Sequence, residues 1–313
     1  MTEVEAPISW PEYFSKIIFF GLLMFLFLLL TVYFNQEGFL YVPDQPIKYV
    51  EQNPPRYQTP AERSMTYEEI WLKTKDNLKL QGWFMYHPED AASKSTIIFL
   101  HENAGNIGLR LDWFAMVYHQ LNVNVVCVAY RGFSRSEGAP SQEGILLDAE
   151  AMLDFAKSES RINNDRVFVL GRSLGGAVAI HAVEKLARQG DEWIKGVILE
   201  NTFTNISEMA DKVFPFLKLV GSLKEKMLRL DWNSKKRIGE ITAPIFLITG
   251  SNDMLVPFSM TSDLNEAATK TSHKEMWVIE NGTHNDSFMR AGPLYPARLA
   301  KFMAKCLGEE EPT

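Results

Sequence analysis

Cysteine is nearly absent from this 313-residue chain: there are only two, Cys127 inside an apolar run and Cys306 near the C-terminus. Two are too few for a disulfide framework and their spacing suits no metal site, so both read as free thiols. Clusters of Lys and Arg are missing as well, with 32 basic residues against 39 acidic ones and a formal net charge of -7. Binding a phosphate backbone requires a basic patch, so nucleic acid is excluded as a partner and a polyanion is a poor candidate substrate. Internal repeats and low-complexity tracts are also lacking. What remains, 46% hydrophobic and 23% charged residues, is the composition of a globular enzyme, and the length fits one catalytic domain of about 250 residues plus an extra segment.

That extra segment is at the front. Ile17 to Phe34, IIFFGLLMFLFLLLTVYF, carries no charge. As a helix it would measure about 27 Å, close to the ~30 Å of a bilayer core. It is followed by Asn35-Gln36-Glu37 in place of the small residues of a signal-cleavage site, so a retained single-pass anchor is expected over residues 17–34, after an N-terminal tail of residues 1–16. The bilayer is then a partner, and Trp10, Tyr13, Tyr33 and Tyr41 lie where interfacial rings belong. Lys16 precedes the helix and no basic residue follows until Lys48, which favours a cytoplasmic N-terminus in an endomembrane or the plasma membrane. The sequons at Asn205, Asn281 and Asn285 would suit a lumenal domain, yet the last two bracket His284, and they weigh neither way. Residues 35–66, with Pro43, Pro46, Pro54, Pro55 and Pro60, read as an extended, semi-rigid connector. On that reading the anchor gives localisation and substrate access but no catalytic chemistry, and a chain beginning near Thr59 should keep its kcat on a short water-soluble ester and lose rate mainly on substrates presented in membranes.

From residue 67 to 308, short apolar runs alternate with amphipathic segments, the signature of βα units and a mostly parallel central sheet with helices on both faces. Glu69–Lys73 and Leu78–Tyr86 form an opening hairpin, and Thr96–Leu100, Val123–Ala129, Arg166–Leu170, Ile194–Leu199, Ile245–Thr249 and Glu275–Ile279 the inner strands. Leu109–His119, Gln142–Ser158, Gly175–Arg188, Phe258–Ala268 and Pro293–Leu307 are the expected helices. Residues 202–237 fit neither pattern, and their many apolar side chains suggest a small helical cap over a site. Residues 309–313 form a C-terminal tail.

Gly171-Arg172-Ser173-Leu174-Gly175 follows a strand and precedes a helix, the context in which G-x-S-x-G lifts a serine onto a sharp turn. A serine hydroxyl is a weak nucleophile, so a base must take its proton and an acid must orient that base. His284 stands in a polar loop after the strand ending at Ile279, and Asp253 in Gly-Ser-Asn-Asp-Met-Leu-Val-Pro after the strand ending at Thr249. Both lie at strand C-terminal ends, where sites of open α/β sheets gather. Glu200 also ends a strand and is the weaker candidate acid. For the oxyanion, the backbone N–H of Leu174 is one donor, and Asn103 or Ala104 in the loop His101-Glu102-Asn103-Ala104-Gly105-Asn106 supplies a second. His101 reads as a support for that loop and Arg131 as a structural ion-pair former. Neither metal nor cofactor is expected.

Together with Asn53-Pro-Pro, Glu-Asn-Ala-Gly-Asn-Ile, Tyr-Arg-Gly, Gly-Arg-Ser-Leu-Gly-Gly, Leu-Glu-Asn-Thr-Phe-Thr and Gly-Thr-His-Asn-Asp, these features resemble the membrane-anchored α/β-hydrolases of the Bem type, which include the wavy-growth proteins of plants. The resemblance spans nearly the whole chain. It implies the α/β-hydrolase fold, a Ser173-Asp253-His284 triad and likeness to thioesterases that act on acylated proteins. Glu102 departs from the wider superfamily, where glycine follows the histidine of this loop; members of the branch carry Glu there too. The expected activity is cleavage of an ester or thioester of a lipid or acylated protein through an acyl-enzyme. The alternative is a catalytically weak scaffold that binds membrane proteins.

Overall fold

The computed structural model describes residues 10–311; the rest of both expected tails lies outside the described residues. Eight strands make one sheet in the order β1-β2-β4-β3-β5-β6-β7-β8. They are β1 (Tyr67–Lys73), β2 (Lys79–Met85), β3 (Thr96–Leu100), β4 (Asn124–Val128), β5 (Val167–Arg172), β6 (Ile194–Glu200), β7 (Ile245–Gly250) and β8 (Lys274–Ile279). β2 runs against both its neighbours, and β3 to β8 are parallel. β3, β4, β5 and β7 are buried at every position, because helices cover both faces, and that is why they read as unbroken Val/Ile/Leu/Phe runs.

The helices are α1 (Trp10–Phe34), α2 (Gln36–Leu40), α3 (Leu111–Met116), α4 (Gln142–Ser158), α5 (Leu174–Arg188), α6 (Ile206–Val213), α7 (Leu223–Met227), α8 (Ser234–Ile238), α9 (Phe258–Ala267), α10 (Ser287–Ala291) and α11 (Leu294–Leu307). The single helix expected over Leu109–His119 is instead a 3₁₀ turn at Ile107–Arg110, α3, and a wide π turn at Val117–Leu121. Asn122 then stops it in the left-handed region at φ 55°, a conformation Asn tolerates better than most residues.

Three expectations need correction. α1 starts at Trp10, seven residues before Ile17, so Trp10–Lys16 is helix and not tail. It is 25 residues long, with a mean hydropathy of 2.8 over its most apolar stretch, of which only 11% is buried. Residues 35–66 are not an extended spacer. α2 follows α1 directly, Val42 pairs with Ala104 as an isolated parallel bridge, and the Asn53 and Asn106 side chains exchange two hydrogen bonds of 2.8 Å, both residues buried. Thr59 and Glu62 then form a capping box around a turn at Pro60–Arg63. Proline fixes φ locally but does not stop the chain packing on a domain. Finally, only the first part of residues 202–237 is a cap. α6, a 3₁₀ turn at Pro215–Val220 and α7 stand over the sheet, whereas fully buried Trp232 and Ile238 return the chain to the core, where α8 packs on α5 and α9.

Candidate active site

β5 continues through Gly171 and Arg172 to the residue before Ser173, and α5 begins at Leu174. The chain therefore reverses within one residue, and Ser173 takes φ 53°, ψ -119°, a sparsely populated conformation for a residue with a side chain. The glycines around it are a packing requirement. A Cβ on Gly171 would run into the Gly175 carbonyl, and one on Gly175 into that of Leu100. The turn is tied down from below: the Ser173 N–H donates to Glu200 O at 2.8 Å, and the Thr202 hydroxyl donates to Ser173 O at 2.8 Å.

The strained turn presents Ser173 Oγ at 3.0 Å from His284 Nε2, and His284 Nδ1 lies 2.7 Å from Asp253 Oδ2. A carboxylate only accepts, so Nδ1 carries the proton and Nε2 is left to receive one from the serine. Asp253 Oδ1 accepts the N–H groups of Leu255 at 2.9 Å and Val256 at 2.8 Å, which fixes the carboxylate while its side chain is fully buried. Glu200, the competing acid, is engaged elsewhere: Tyr295 Oη donates to its Oε2 at 2.5 Å. Ser173, Asp253 and His284 thus meet from the ends of β5, β7 and β8.

Of the two loop residues expected near the oxyanion, Asn103 lines the same cavity as Ser173 and Leu174. Ala104 instead pairs with Val42, with its carbonyl accepting from Arg110 at 2.7 Å. The Leu174 N–H, at the first position of α5, has no partner within the helix. Beneath the loop His101 is buried, its Nδ1 against Glu102 O at 2.7 Å and its Nε2 accepting from Tyr130 N at 3.0 Å. Burial and the nearby Arg110 hold its pKa down at about 3, so it stays neutral.

Glu102 turns away from the site. Its carboxylate meets Arg110 Nε at 2.7 Å and Arg172 Nη1 at 2.9 Å. Burial opposes its charge, but the two guanidinium groups outweigh burial and hold its pKa down at about 2. Arg172 also donates to His284 O at 2.9 Å. One arginine therefore joins the loop of residues 101–106 to the loop of His284. Arg131 is structural as expected, donating to Asp148 and Asp76 on the far side of the loop.

Above Ser173 opens a cavity of about 340 Å³, at the small end of the roughly 300–1,000 Å³ of small-molecule sites. Among the described residues its only polar side chains are Gln36, Asn103 and Ser173; the remainder are apolar, from α1, α2, the start of α5, the cap and its flanks, and the Asp253 loop, with no charged residue among them.

A family model described as serine aminopeptidase, S33, matches residues 91–231. Over 285 residues the chain is 36% identical to the α/β-hydrolase domain-containing protein WAV2 of Arabidopsis thaliana, covering 88% of this chain and 89% of that protein. The chain belongs to this α/β-hydrolase family. Protein bem46 of Schizosaccharomyces pombe is 33% identical, with 86% and 88% covered. A Saccharomyces cerevisiae relative described as an uncharacterized membrane protein is 34% identical, with 75% and 79% covered. Among solved structures, an esterase of Pyrococcus furiosus superposes with a TM-score of 0.66 at 20% identity over 80% of this chain and 94% of that one, a likeness of fold.

Sequence reasoning missed two parts of this α/β-hydrolase site. The Arg172 link was hidden because Arg172 fills a variable place in G-x-S-x-G, and its partners Glu102 and His284 lie 70 and 112 residues away in the chain. The contribution of α1 and α2 was hidden by the proline-rich stretch after them. A signal did exist: Gln36, an amide at the end of a charge-free run, is buried and bonded on both sides.

Proposed function

We propose that this α/β-hydrolase is a membrane-anchored serine hydrolase that cleaves a carboxylic ester or thioester through an acyl-enzyme on Ser173. The observation that carries the reading is the unbroken line from Ser173 Oγ through His284 to the buried Asp253. Ser173 Oγ attacks the carbonyl carbon while His284 Nε2 takes its proton. The developing oxyanion is met by the N–H groups of Leu174 and Asn103. The tetrahedral species collapses, the bond to the leaving alcohol or thiol breaks, and His284 returns the proton to it. Water, deprotonated by His284, then releases the acid and restores the serine.

The uncharged cavity supports an acyl substrate over a peptide. An aminopeptidase needs a carboxylate near its serine to hold the free α-ammonium group, and among the described residues no acidic one lines this cavity. The long apolar α1 supports the anchor, with the bilayer as partner through residues 17–34 and the N-terminus on the cytoplasmic side.

The test is labelling of the full-length protein with a fluorophosphonate, followed by turnover of short acyl esters. Wild-type protein should label and hydrolyse p-nitrophenyl acetate, and Ser173→Ala should lose both, with kcat down by about 10⁶. A Ser173→Ala variant that still labels and turns over would refute the assignment.

A further inference from the structure

We propose that the membrane anchor is itself a wall of the acyl-binding cavity, and that the cavity takes a medium- or long-chain acyl group of a molecule resident in the same bilayer. The proposal rests on the serine-hydrolase reading above and adds the substrate class and the residues that select it.

Val32 near the end of α1, and Gln36, Phe39 and Leu40 of α2, line the cavity opposite Met209 and Phe214 of the cap, with Ser173 and Leu174 among the lining residues. The wall is fixed. Gln36 is 5% exposed, donates from Nε2 to Met227 O at 2.8 Å and accepts at Oε1 from Arg229 N at 2.7 Å, so its polar atoms are used in holding anchor to cap. Arg229 also pairs with Glu37 at 2.7 Å. A water molecule takes ~30 Å³ of the liquid, so an acetyl group would leave most of the cavity's 340 Å³ empty, and an empty apolar space is one that a hydrocarbon chain fills with gain.

The cap beside the cavity also reaches to the depth of the bilayer. Leu217 and its neighbours Phe214 and Phe216 pack on Leu29, Val32 and Phe25 of α1. Phe25 lies nine residues before the helix end, or ~14 Å along the axis. With α1 spanning a membrane, this part of the cap lies beside hydrocarbon. Its outer surface fits that place: Leu219 and Leu223 are exposed, Leu219 by 80%, and exposed Lys212, Lys218 and Lys226 lie around them in the chain. Apolar side chains interleaved with long cations suit a bilayer surface. The rim beside the triad, Met254, Leu255, Phe258 and Met289, is exposed and apolar as well. An acyl chain can therefore pass from the leaflet to Ser173 without crossing water.

The experiment uses the full-length protein in phosphatidylcholine vesicles and compares kcat/KM for p-nitrophenyl dodecanoate and p-nitrophenyl acetate. Each methylene that fills empty cavity volume should raise the wild-type value until the cavity is full. Val32→Trp, which fills the cavity from the anchor side, should lower the dodecanoate-to-acetate ratio about tenfold, because the chain then finds less empty volume to fill. Val32→Ala should move the preferred chain length upward, a change that a misfolded protein would not give. Leu23→Trp, on the exposed face of α1 turned away from Phe25, Leu29 and Val32, should keep the wild-type ratio. An unchanged ratio in both Val32 variants would overturn the anchor wall while leaving the hydrolase reading intact. Turnover of neither ester by the wild-type protein would overturn the hydrolase reading itself.

Discussion

At Glu102 the chain places a carboxylate next to a site that, on the proposed hydrolysis, must stabilise negative charge, and two arginines turn it aside. Their pairing makes Glu102 a positioning residue, since Arg172 holds Glu102 with one nitrogen and the His284 carbonyl with another. Glu102→Gln should destabilise the fold by about 3 kcal/mol at neutral pH, the cost of leaving a buried cation without its partner. It should also lower kcat on p-nitrophenyl acetate ~10- to 100-fold through small displacements of both loops. The sign of the pH dependence follows from linkage. Glu102 sits at about 2 in the folded protein against an ordinary 4.5, so its contribution is complete above 4.5 and is lost as pH falls toward 2. His101 sits at about 3 against 6.5; the unfolded chain takes up that proton first, so stability already declines below pH 6.5. Thermal unfolding from pH 8 to pH 3 should therefore show Glu102→Gln approaching wild type below pH 4.5 while both lose stability from pH 6.5 downward. Equal stability and equal kcat at neutral pH would remove Glu102 from this role. The sequence made the choice between Asp253 and Glu200 from the Gly-x-x-Asp-x-x-Val-Pro setting, and the structure puts Asp253 on the histidine and Glu200 on Tyr295. It could not show where Glu102 points, because the two partners are distant in sequence and nothing in Arg110 or Arg172 marks them as a pair.

Among the elements, the strands were legible because burial on both faces leaves only apolar residues in them, and the elbow because its glycines are demanded by contacts of the strand and helix that flank it. The segment from Gln36 to Val42 was not. Its partners are Met227, Asn103 and Ala104, and the Leu40 carbonyl accepts from Asn103 Nδ2 at 2.7 Å while Val42 N donates to Asn103 O at 2.9 Å. The oxyanion loop thus leans on the chain that leaves the anchor. A protein beginning at Thr59 should retain the sheet, by circular dichroism, yet lose at least tenfold in kcat on p-nitrophenyl acetate, toward the ~10² to 10³ of a missing oxyanion donor. One beginning at Asn35 keeps those bonds and should lose much less. Equal, near-wild-type turnover by both would restore the view of residues 35–66 as a passive tether.

For the molecule as a whole, three parts that composition suggested were separate, a membrane helix, a cap and a catalytic domain, share one cavity and one set of hydrogen bonds. α1, α2 and the cap line the cavity with Ser173, and Asp253 and His284 reach Ser173 from the ends of two other parallel strands. The order Ser, Asp, His was readable because each residue follows a strand whose apolar run is unmistakable; the union of anchor and cap was not, because hydrophobicity alone does not say which apolar surface meets which. The central claim is that Ser173 is the nucleophile of this assembly. It is tested most directly by treating the full-length protein in vesicles with a fluorophosphonate and locating the adduct by peptide mass spectrometry. A single adduct on Ser173 is expected, formed much more slowly in Asp253→Asn, where the orientation of His284 is lost. Ester hydrolysis that persists once Ser173 is fully modified, or an adduct on another serine with Ser173 left free, would contradict it.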